Sequence, residues 1–313
     1  MPSRYKHDRA MSLQQFEKLF PDEDACARHL VKLRWGDGFV CPACGGTKGW
    51  ELKGDRCRRE CADCGRQTSV TAGTVMHRTH LPLKTWFLAA HIVATHSNGI
   101  SALQLQAQLG IGSYKSAWLL LQKLRRAMVD PDRSVLQEIV EVDEASMPFR
   151  EGRGAEGRSK KGRSAEGKML LAGAVELSED GKPRRIRLKE IDDYSADSLQ
   201  GFIADVVEPG AQVVTDGWSG YSGLPGNPHE ARVIGDQEAH KVLEWAHRVF
   251  SNLKRWAMGV YHGLRRKHFQ KYLDEFVFRW NRRRHRATSF DRLLGIGLEL
   301  KPVTYRDFVE GRA

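Results

Sequence analysis

The chain has 313 residues and a mass of 35.4 kDa, enough for two domains or for one domain with small appendages. Its 41% hydrophobic and 28% charged residues exclude a disordered or collagen-like chain, and no run reaches the roughly 18 apolar residues of a membrane span. A net charge of +11 indicates a polyanionic partner, nucleic acid before an anionic membrane surface, although a basic surface that only keeps the protein soluble has the same sign.

The segment 10–80 combines helical spacing with two cysteine pairs. Apolar residues over 11–35 recur in two pieces divided by Pro21, which predicts two short helices. Two CxxC pairs follow, each with glycine after it, and the sixteen residues between them suit a hairpin that brings four thiolates to one ion. We predict a zinc ribbon with one structural Zn²⁺, whereas reduced core cysteines or a redox pair are the alternatives. The predicted ligands are Cys41, Cys44, Cys61 and Cys64.

The segment 81–131 is predicted to be helical, with helices over 82–96 and, on either side of Gly110, over 101–128. A short helix, a glycine turn and a longer helix match the spacing of a helix-turn-helix, although an ordinary αα-hairpin has the same pattern. If the second helix contacts DNA, its basic side chains are the candidate contacts. These are Lys115, Lys123, Arg125 and Arg126.

From residue 135 the predicted order is three strands, a helix, a strand and two helices, which is an α/β layered pattern. The strands are predicted at 135–145, 169–177, 184–191 and 212–215, and the helices near 195–207, 239–258 and 268–284. The segment 150–168 is rich in glycine and basic residues, and we predict a flexible loop that contacts DNA without sequence preference. Its candidate contacts are Lys160, Lys161 and Arg163.

Two aspartates follow apolar strand segments in this α/β region. Asp143 is predicted to end the first strand, and Asp216 follows Val213, Val214 and Thr215. Carboxylates at the ends of two strands of one sheet are suited to hold Mg²⁺, and two such ions can activate a nucleophile and stabilise the leaving oxygen at a phosphodiester. Taken singly, each aspartate is better explained as the cap of a turn, whereas the two together on a basic protein support a metal site equally well.

Long strings of the sequence resemble one group of proteins in the same order. The string CPACG…CADCGRQTSVTAGTVMHRTHLPLKTWFLA resembles the zinc-ribbon segment of bacterial insertion-sequence transposases of the family numbered fifteen ninety-five, within the DDE class. The strings VEVDE, TDGWSGY, HRVFSNLKRW and YHGLRRKHFQKYLDEFVFRWNRR resemble the catalytic domain of that family. The resemblance runs from about Leu13 to Asp291. It implies a ribonuclease-H-like α/β fold, Mg²⁺ or Mn²⁺ as cofactor, and Asp143 and Asp216 as the first two catalytic residues.

The resemblance implies a DNA transposase that binds terminal inverted repeats, cleaves element ends by metal-assisted hydrolysis and joins the 3′-OH to target DNA. The ribbon (10–80) and the helix-turn-helix-like region (81–131) would recognise the repeats, ahead of a catalytic domain (135–290) and a C-terminal tail (291–313). The partners would be double-stranded DNA and further copies of the chain, at least a dimer, because two ends must meet. We expect a cytoplasmic protein, on the nucleoid when bound to DNA. The alternatives are a structure-specific nuclease or resolvase, and a catalytically inactive zinc-ribbon regulator.

The third catalytic position departs from the D-D-E pattern, because HRVFSNLKRW contains no glutamate. Asn252 follows Asp216 with thirty-five residues between them, an interval of this class, and one branch of the family is described with asparagine there. His247 stands in the register where other branches place glutamate before a basic residue, here Lys254, and Glu275 is a carboxylate one helix later. We predict Asn252 as the third catalytic residue, with Lys254 contacting DNA and His247 orienting water or phosphate.

The last predicted helix of the catalytic domain carries a second candidate surface. Glu275, Arg279 and Arg282 have i, i+4, i+7 spacing, which resembles a Glu-Arg-basic signature of one branch of the family. We predict that these auxiliary residues face phosphates, and a solvated salt-bridged face is the alternative.

Overall fold

The structure is a computed structural model that describes residues 9–148, 168–232, 242–261 and 264–311. Within these ranges no helix combines the length and the apolar character needed to cross a membrane. The predicted basic loop, with Lys160, Lys161 and Arg163, lies outside the described residues. The chain divides into two compact units, of which the first contains the residues up to Asp130 together with those from Arg282 onward, and the second is Pro131–Asn281.

The secondary structure of the described residues is mixed α/β. The helices are α1 (Leu13–Leu19), α2 (Glu23–Trp35), α3 (Leu83–Thr95), α4 (Ala102–Leu109), α5 (Tyr114–Arg126), α6 (Ala196–Val206), α7 (Glu244–Tyr261), α8 (Phe269–Asn281), α9 (Ser289–Glu299) and α10 (Tyr305–Glu310). The strands are β1 (Gly49–Leu52), β2 (Asp55–Cys61), β3 (Gln67–Ser69), β4 (Ile139–Pro148), β5 (Lys168–Leu177), β6 (Pro183–Ile191), β7 (Gln212–Thr215) and β8 (His229–Ala231).

Helix α4 of the first unit begins and ends where its capping residues predict. Ser101 accepts a hydrogen bond from the backbone N–H of Gln104 at the start of α4, in a capping box. Gly110 ends α4 in the left-handed conformation with φ of 62°, which glycine adopts without steric cost. The predicted pair of helices on either side of Gly110 is therefore confirmed, and a small three-stranded antiparallel sheet, β1-β2-β3, lies between α2 and α3 in the chain.

The C-terminal residues belong to the first unit. A C-terminal tail is predicted over 291–313, whereas α9 and α10 pack with the N-terminal helices of the same unit. The Phe290 ring lies 5.5 Å from Phe20 and 5.7 Å from Phe87, and the Trp118 ring lies 5.5 Å from Tyr305. The physical reason is that α9 carries apolar residues on the side it buries, so its burial stabilises the N-terminal helices.

The second unit is a five-stranded sheet with helices on both faces. Its strand order is β6-β5-β4-β7-β8, with β4, β5 and β6 antiparallel and with β7 and β8 parallel to β4. Apolar residues of α6 pack with Val140 and Val142 on one face, and residues of α7 and α8 pack on the other face. A Cβ at Gly173 would lie 2.6 Å from the Phe250 ring, so glycine on β5 lets α7 approach the sheet beside Asp143.

The predicted order of three strands, a helix, a strand and two helices is confirmed over the described residues, with one addition. The added strand, β8, has three residues, and this length is too short to give an alternating pattern.

Candidate functional site

The four cysteines of the ribbon converge, with all four sulfur atoms within 4.8 Å of one another. The sulfurs of Cys41 and Cys64 are 3.7 Å apart, and those of Cys44 and Cys61 are 3.6 Å apart. A tetrahedral zinc ion with Zn–S bonds of about 2.3 Å would place its sulfurs about 3.8 Å apart. The spacing of the four thiols therefore fits one zinc ion, and it leaves no open position of the kind that a catalytic zinc site keeps.

Each cysteine pair is held by a glycine turn. Gly45 donates its N–H to the Cys41 carbonyl, and Gly65 donates to the Cys61 carbonyl, both with positive φ. Hydrogen bonds from the backbone N–H groups of Ala43 and Cys44 lower the pKa of the Cys41 thiol to about 6. These hydrogen bonds favour the thiolate of Cys41, which is the form that binds zinc, whereas the neighbouring Cys64 and Cys61 side chains raise the pKa of Cys44 to about 12.

Three carboxylates meet at one edge of the sheet in the second unit. The side chains are Asp143, Glu144 and Asp216, and each contributes one carboxylate oxygen to a set of three that lie within 4.8 Å of one another. Ligands on opposite sides of an octahedral Mg²⁺ are about 4.2 Å apart, so the cluster is of the size that such an ion requires. Hard carboxylate oxygens are also the ligand type that Mg²⁺ and Mn²⁺ prefer. The donor set therefore fits the predicted cofactor.

The position of Asp143 differs from the prediction, because it lies inside β4 and does not end it. The antiparallel pairing of β4 with β5 continues from Ile139 to Pro148, whereas its parallel pairing with β7 reaches only to Glu141. Asp216 directly follows β7, so the end of that short strand leaves one side of β4 open beside Asp143. The end of the neighbouring strand therefore creates the site.

Glu144 is the functional candidate that the sequence reasoning missed. Its Oε2 accepts a hydrogen bond of 2.7 Å from the phenol of Tyr221, whose side chain is fully buried. Burial raises the pKa of Tyr221 well above its ordinary value, and the charge of Glu144 acts in the same direction, so the phenol stays protonated as a donor. Glu144 lies in the VEVDE string, but consecutive side chains of a strand point to opposite faces, so the string alone does not predict that Glu144 joins Asp143.

Helix α7 is anchored to the same strand by Glu141. This buried carboxylate accepts hydrogen bonds of 2.9 Å from the backbone N–H groups of both Trp245 and Ala246, in the first turn of the helix. His247 is the next residue of the helix, and its Nε2 lies 3.8 Å from Oδ2 of Asp143. The structure therefore brings His247 to the first aspartate.

Asn252 and Lys254 occupy exposed positions on α7. The carbonyl oxygen of Asn252 accepts a hydrogen bond of 3.1 Å from Arg255. Asn252 and His247 line one groove of about 750 Å³. Two of the three candidates for the third catalytic position therefore share a surface. The groove is completed by Glu244, Trp245, Arg248, Ser251, Arg255 and Trp280.

The predicted phosphate-facing surface of the last catalytic-domain helix is wrong for Glu275. This carboxylate is 0% exposed, forms an ion pair of 2.8 Å with Arg279, and accepts a hydrogen bond from the Tyr261 hydroxyl. The physical reason is that Tyr261, at the end of α7, packs against this side of α8 and covers it. Arg282 belongs to the other compact unit, and burial lowers its pKa.

The predicted DNA contacts of α5 divide into exposed and buried side chains. Lys115 is exposed, with its ammonium 4.1 Å from the centre of the Tyr305 ring. Lys123 and Arg125 are only 6% and 2% exposed, so the prediction that they contact phosphates is wrong. Lys123 lies over the Trp86 ring of α3, with its ammonium 5.9 Å from the ring centre, and Arg126 donates a hydrogen bond of 2.5 Å to the carbonyl of Lys301.

Comparisons with known proteins match both units. Residues 135–281 match an ISXO2-like transposase domain, and residues 21–67 match a transposase zinc-ribbon domain. A protein of Halobacterium salinarum, described as an uncharacterized protein in transposable element ISH50, is 30% identical over 168 residues, which cover 53% of this chain. The chain spans about half, 54%, of that relative's length.

A solved structure gives a weaker similarity. The cryoEM structure of a simian T-cell lymphotropic virus intasome in complex with PP2A regulatory subunit B56 gamma matches with 12% identity and a TM-score of 0.32. The match covers 57% of this chain and 67% of that chain, and it is too weak to establish a shared fold.

Proposed function

Because the chain belongs to the insertion-sequence transposases of family fifteen ninety-five, with their zinc ribbon and ISXO2-like domain, we propose that it cleaves and joins DNA at the ends of its element. It would bind the terminal inverted repeats, hydrolyse a phosphodiester at each end, and direct the freed 3′-OH to target DNA. The observation that supports this most directly is the convergence of Asp143 and Asp216 at one sheet edge inside the matched domain.

We assign the second unit to the ribonuclease-H-like folds. The support is the strand order, in which three antiparallel strands, β6-β5-β4, are followed by two strands parallel to β4. Helices α6 on one face and α7 and α8 on the other complete the layers. In this arrangement β4 and β7, which are the first and fourth strands of the unit along the chain, are neighbours in the sheet. This is why Asp143 and Asp216 meet.

The chemistry proposed for this edge is in-line attack on a phosphodiester. Asp143 and Asp216 would hold Mg²⁺ or Mn²⁺, which when bound lowers the pKa of water and neutralises the charge that develops on phosphate oxygens. His247 lies beside Asp143 and would orient the attacking water or a phosphate oxygen. Its imidazole is better suited to this than to binding Mg²⁺, which disfavours nitrogen.

DNA is the proposed partner of both units. In the second unit, His247 lines the α7 groove and also lies next to Asp143 of the acidic cluster, so the groove and the cluster are adjacent. Arg248 and Arg255 line the same groove, and Lys254 is exposed on the same helix. In the first unit, the closed zinc ribbon and exposed Lys115 are the proposed repeat-binding features, and Lys160, Lys161 and Arg163 remain proposed non-specific contacts. At least two copies would act together, since two element ends must be joined.

The test is an assay with labelled element ends, Mg²⁺ and a target plasmid. Joined product supports the transposase, cleavage without joining would identify a nuclease or resolvase, and a mobility shift without cleavage would identify a regulator. Asp143→Asn is the matched control, because it keeps the shape of the side chain and removes its charge. We expect that variant to bind ends normally and to produce neither cleavage nor joining.

A further inference from the structure

We infer that Glu144, held in place by Tyr221, is the third carboxylate of the proposed metal site, so that no ligand from α7 is required. The inference rests on the proposed function of that site. It concerns a residue adjacent to the first aspartate, on the same strand, and it replaces the assignment of Asn252 as the third ligand.

The convergence of Asp143 and Glu144 needs a physical cause, because consecutive side chains of a strand point to opposite faces of a sheet. Asp143 points toward α7, where His247 lies 3.8 Å away. Its Oδ1 accepts a hydrogen bond of 2.9 Å from the backbone N–H of Glu144, which turns the aspartate back toward its neighbour. Because β7 ends at Thr215, the longer glutamate side chain can bend across the open edge from the other face.

Tyr221 fixes the bent conformation of Glu144. Its ring packs in the apolar cluster beside α6, and only its hydroxyl reaches the carboxylate. A carboxylate has about four lone-pair sites, so accepting the phenol hydrogen at Oε2 leaves capacity for a cation. Tyr221 therefore acts as a positioning residue, since it orders a side chain that would otherwise sample several rotamers.

The loop that carries Tyr221 also carries Asp216. The backbone N–H of Trp218 donates to Oδ1 of Asp216 at 3.0 Å, and the Trp218 indole donates to the Tyr194 carbonyl. A short 3₁₀ turn, Ser219–Tyr221, follows directly. One structured loop thus sets the positions of the second aspartate and of the hydroxyl that holds Glu144.

Helix α7 presents groups of a different kind to the site. Its residue beside Asp143 is a histidine, and Asn252 is exposed with its carbonyl oxygen on Arg255. Glu244, the acidic residue of the groove, pairs with Arg248. The third negative charge near the two aspartates is therefore that of Glu144.

The experiment is a titration of the full zinc-loaded chain with Mn²⁺ in the absence of DNA, followed by electron paramagnetic resonance of the free ion. Asp143→Asn is expected to abolish binding at this site. Glu144→Gln keeps an acceptor for the Tyr221 hydroxyl and removes the charge, and we expect it to raise the Kd for Mn²⁺ at least about tenfold. Asn252→Ala is expected to leave the Kd unchanged.

Tyr221→Phe tests the positioning role and has a matched control. The variant removes only the hydroxyl, and we expect it to raise the Kd for Mn²⁺ about tenfold. Tyr261→Phe removes a hydroxyl that likewise donates to a glutamate, Glu275, and is expected to leave the Kd unchanged. Thermal unfolding and zinc content establish that each variant is folded, and Glu144→Asp, which shortens the reach by one methylene, replaces Tyr221→Phe if that variant does not fold.

The outcomes separate this inference from the proposed function. Unchanged Mn²⁺ affinity in Glu144→Gln, with loss in Asp143→Asn, would overturn the role of Glu144 and leave the proposed function intact. Loss of Mn²⁺ binding in Asn252→Ala would show that the third metal ligand comes from α7. Weakened binding in Glu144→Gln without any change in Tyr221→Phe would overturn the role of Tyr221. Unchanged binding in Asp143→Asn would contradict the proposed metal site itself.

Discussion

At the scale of single residues, the second unit stabilises its buried carboxylates in two different ways. Glu141 is satisfied by two backbone N–H groups at the start of α7, and burial nevertheless raises its pKa. Glu275 is paired with an arginine inside the same unit. Glu141 lies close to the acidic cluster, whereas Glu275 is part of the core. Substitutions of these two residues therefore report on different parts of the unit.

Glu141→Gln tests the burial of this carboxylate through the pH dependence of stability. Because the folded pKa lies above the unfolded value near 4.5, the folded state binds the proton more tightly. The resulting stabilisation is complete below pH 4.5 and is lost as pH rises through the folded pKa. Glutamine keeps an acceptor for the helix, so we expect the variant to gain stability relative to the wild type as pH rises from 4.5.

Urea denaturation at several pH values measures this difference, and Glu179→Gln, at an exposed position of the same unit, is the control. A difference between Glu141→Gln and the wild type that stays constant with pH would contradict the prediction.

The buried pair Glu275–Arg279 gives a prediction with an internal control. Removing Arg279 leaves an uncompensated buried carboxylate, and Arg279→Ala is expected to lower the free energy of unfolding by about 3–5 kcal/mol. Arg306 and Glu310 form an ion pair with the same i, i+4 spacing at the surface. Arg306→Ala is expected to cost less than about 1 kcal/mol, as measured by urea denaturation. Equal costs for the two variants would mean that Glu275 is not buried as described.

At the scale of elements, the zinc ribbon has short strands and depends on its metal. The strands β1, β2 and β3 have four, seven and three residues. Such a small sheet buries too little apolar surface to be stable alone, and bound zinc supplies on the order of 10 kcal/mol of folding free energy in such modules. The four thiols are therefore structural groups whose loss acts on the whole ribbon.

Cys41→Ala is expected to unfold the ribbon and to reduce bound zinc below one ion per chain. Elemental analysis measures the zinc, and proteolysis of residues 40–70 reports the loss of structure. Cys57→Ala is the matched control, because Cys57 also lies on the ribbon but is outside the described four-sulfur cluster. Full zinc content in Cys41→Ala would contradict the assignment of the ligand.

Elements with a local signal were predictable from the sequence, and those fixed by distant neighbours were not. The cysteine spacing predicted the ribbon, and Ser101 and Gly110 predicted the ends of α4, because these signals act within a few residues. The place of Asp143 depends on where β7 stops pairing, which the sequence of β4 does not contain. The position of the Glu144 side chain depends on Tyr221, which is 77 residues away in the chain, and alternation along a strand does not predict it.

At the scale of the whole molecule, the order of the chain does not follow the order of its units. The chain leaves the first unit at Asp130, forms the second, and returns at Arg282. The returning segment includes Lys301, whose carbonyl accepts a hydrogen bond from Arg126 at the end of α5, and Lys123 and Arg125 lie buried in the same helix. The basic residues of α5 are therefore not equivalent, because packing within the first unit decides which of them are exposed.

The difference between exposed and buried basic residues of α5 can be measured in the salt dependence of DNA binding. If about eight Lys and Arg residues neutralise phosphates, the slope of log K against log salt concentration is expected to be about −7, from about −0.9 per contact. Lys115 is exposed, so Lys115→Met should make the slope less negative by about 0.9. Lys123→Met removes the same charge from a buried position, so the slope should stay unchanged. Fluorescence anisotropy of a labelled element end, measured from low to high salt, gives both slopes. Equal changes in the two variants would contradict the burial of Lys123, and a flat response of the wild-type protein would contradict binding through phosphates.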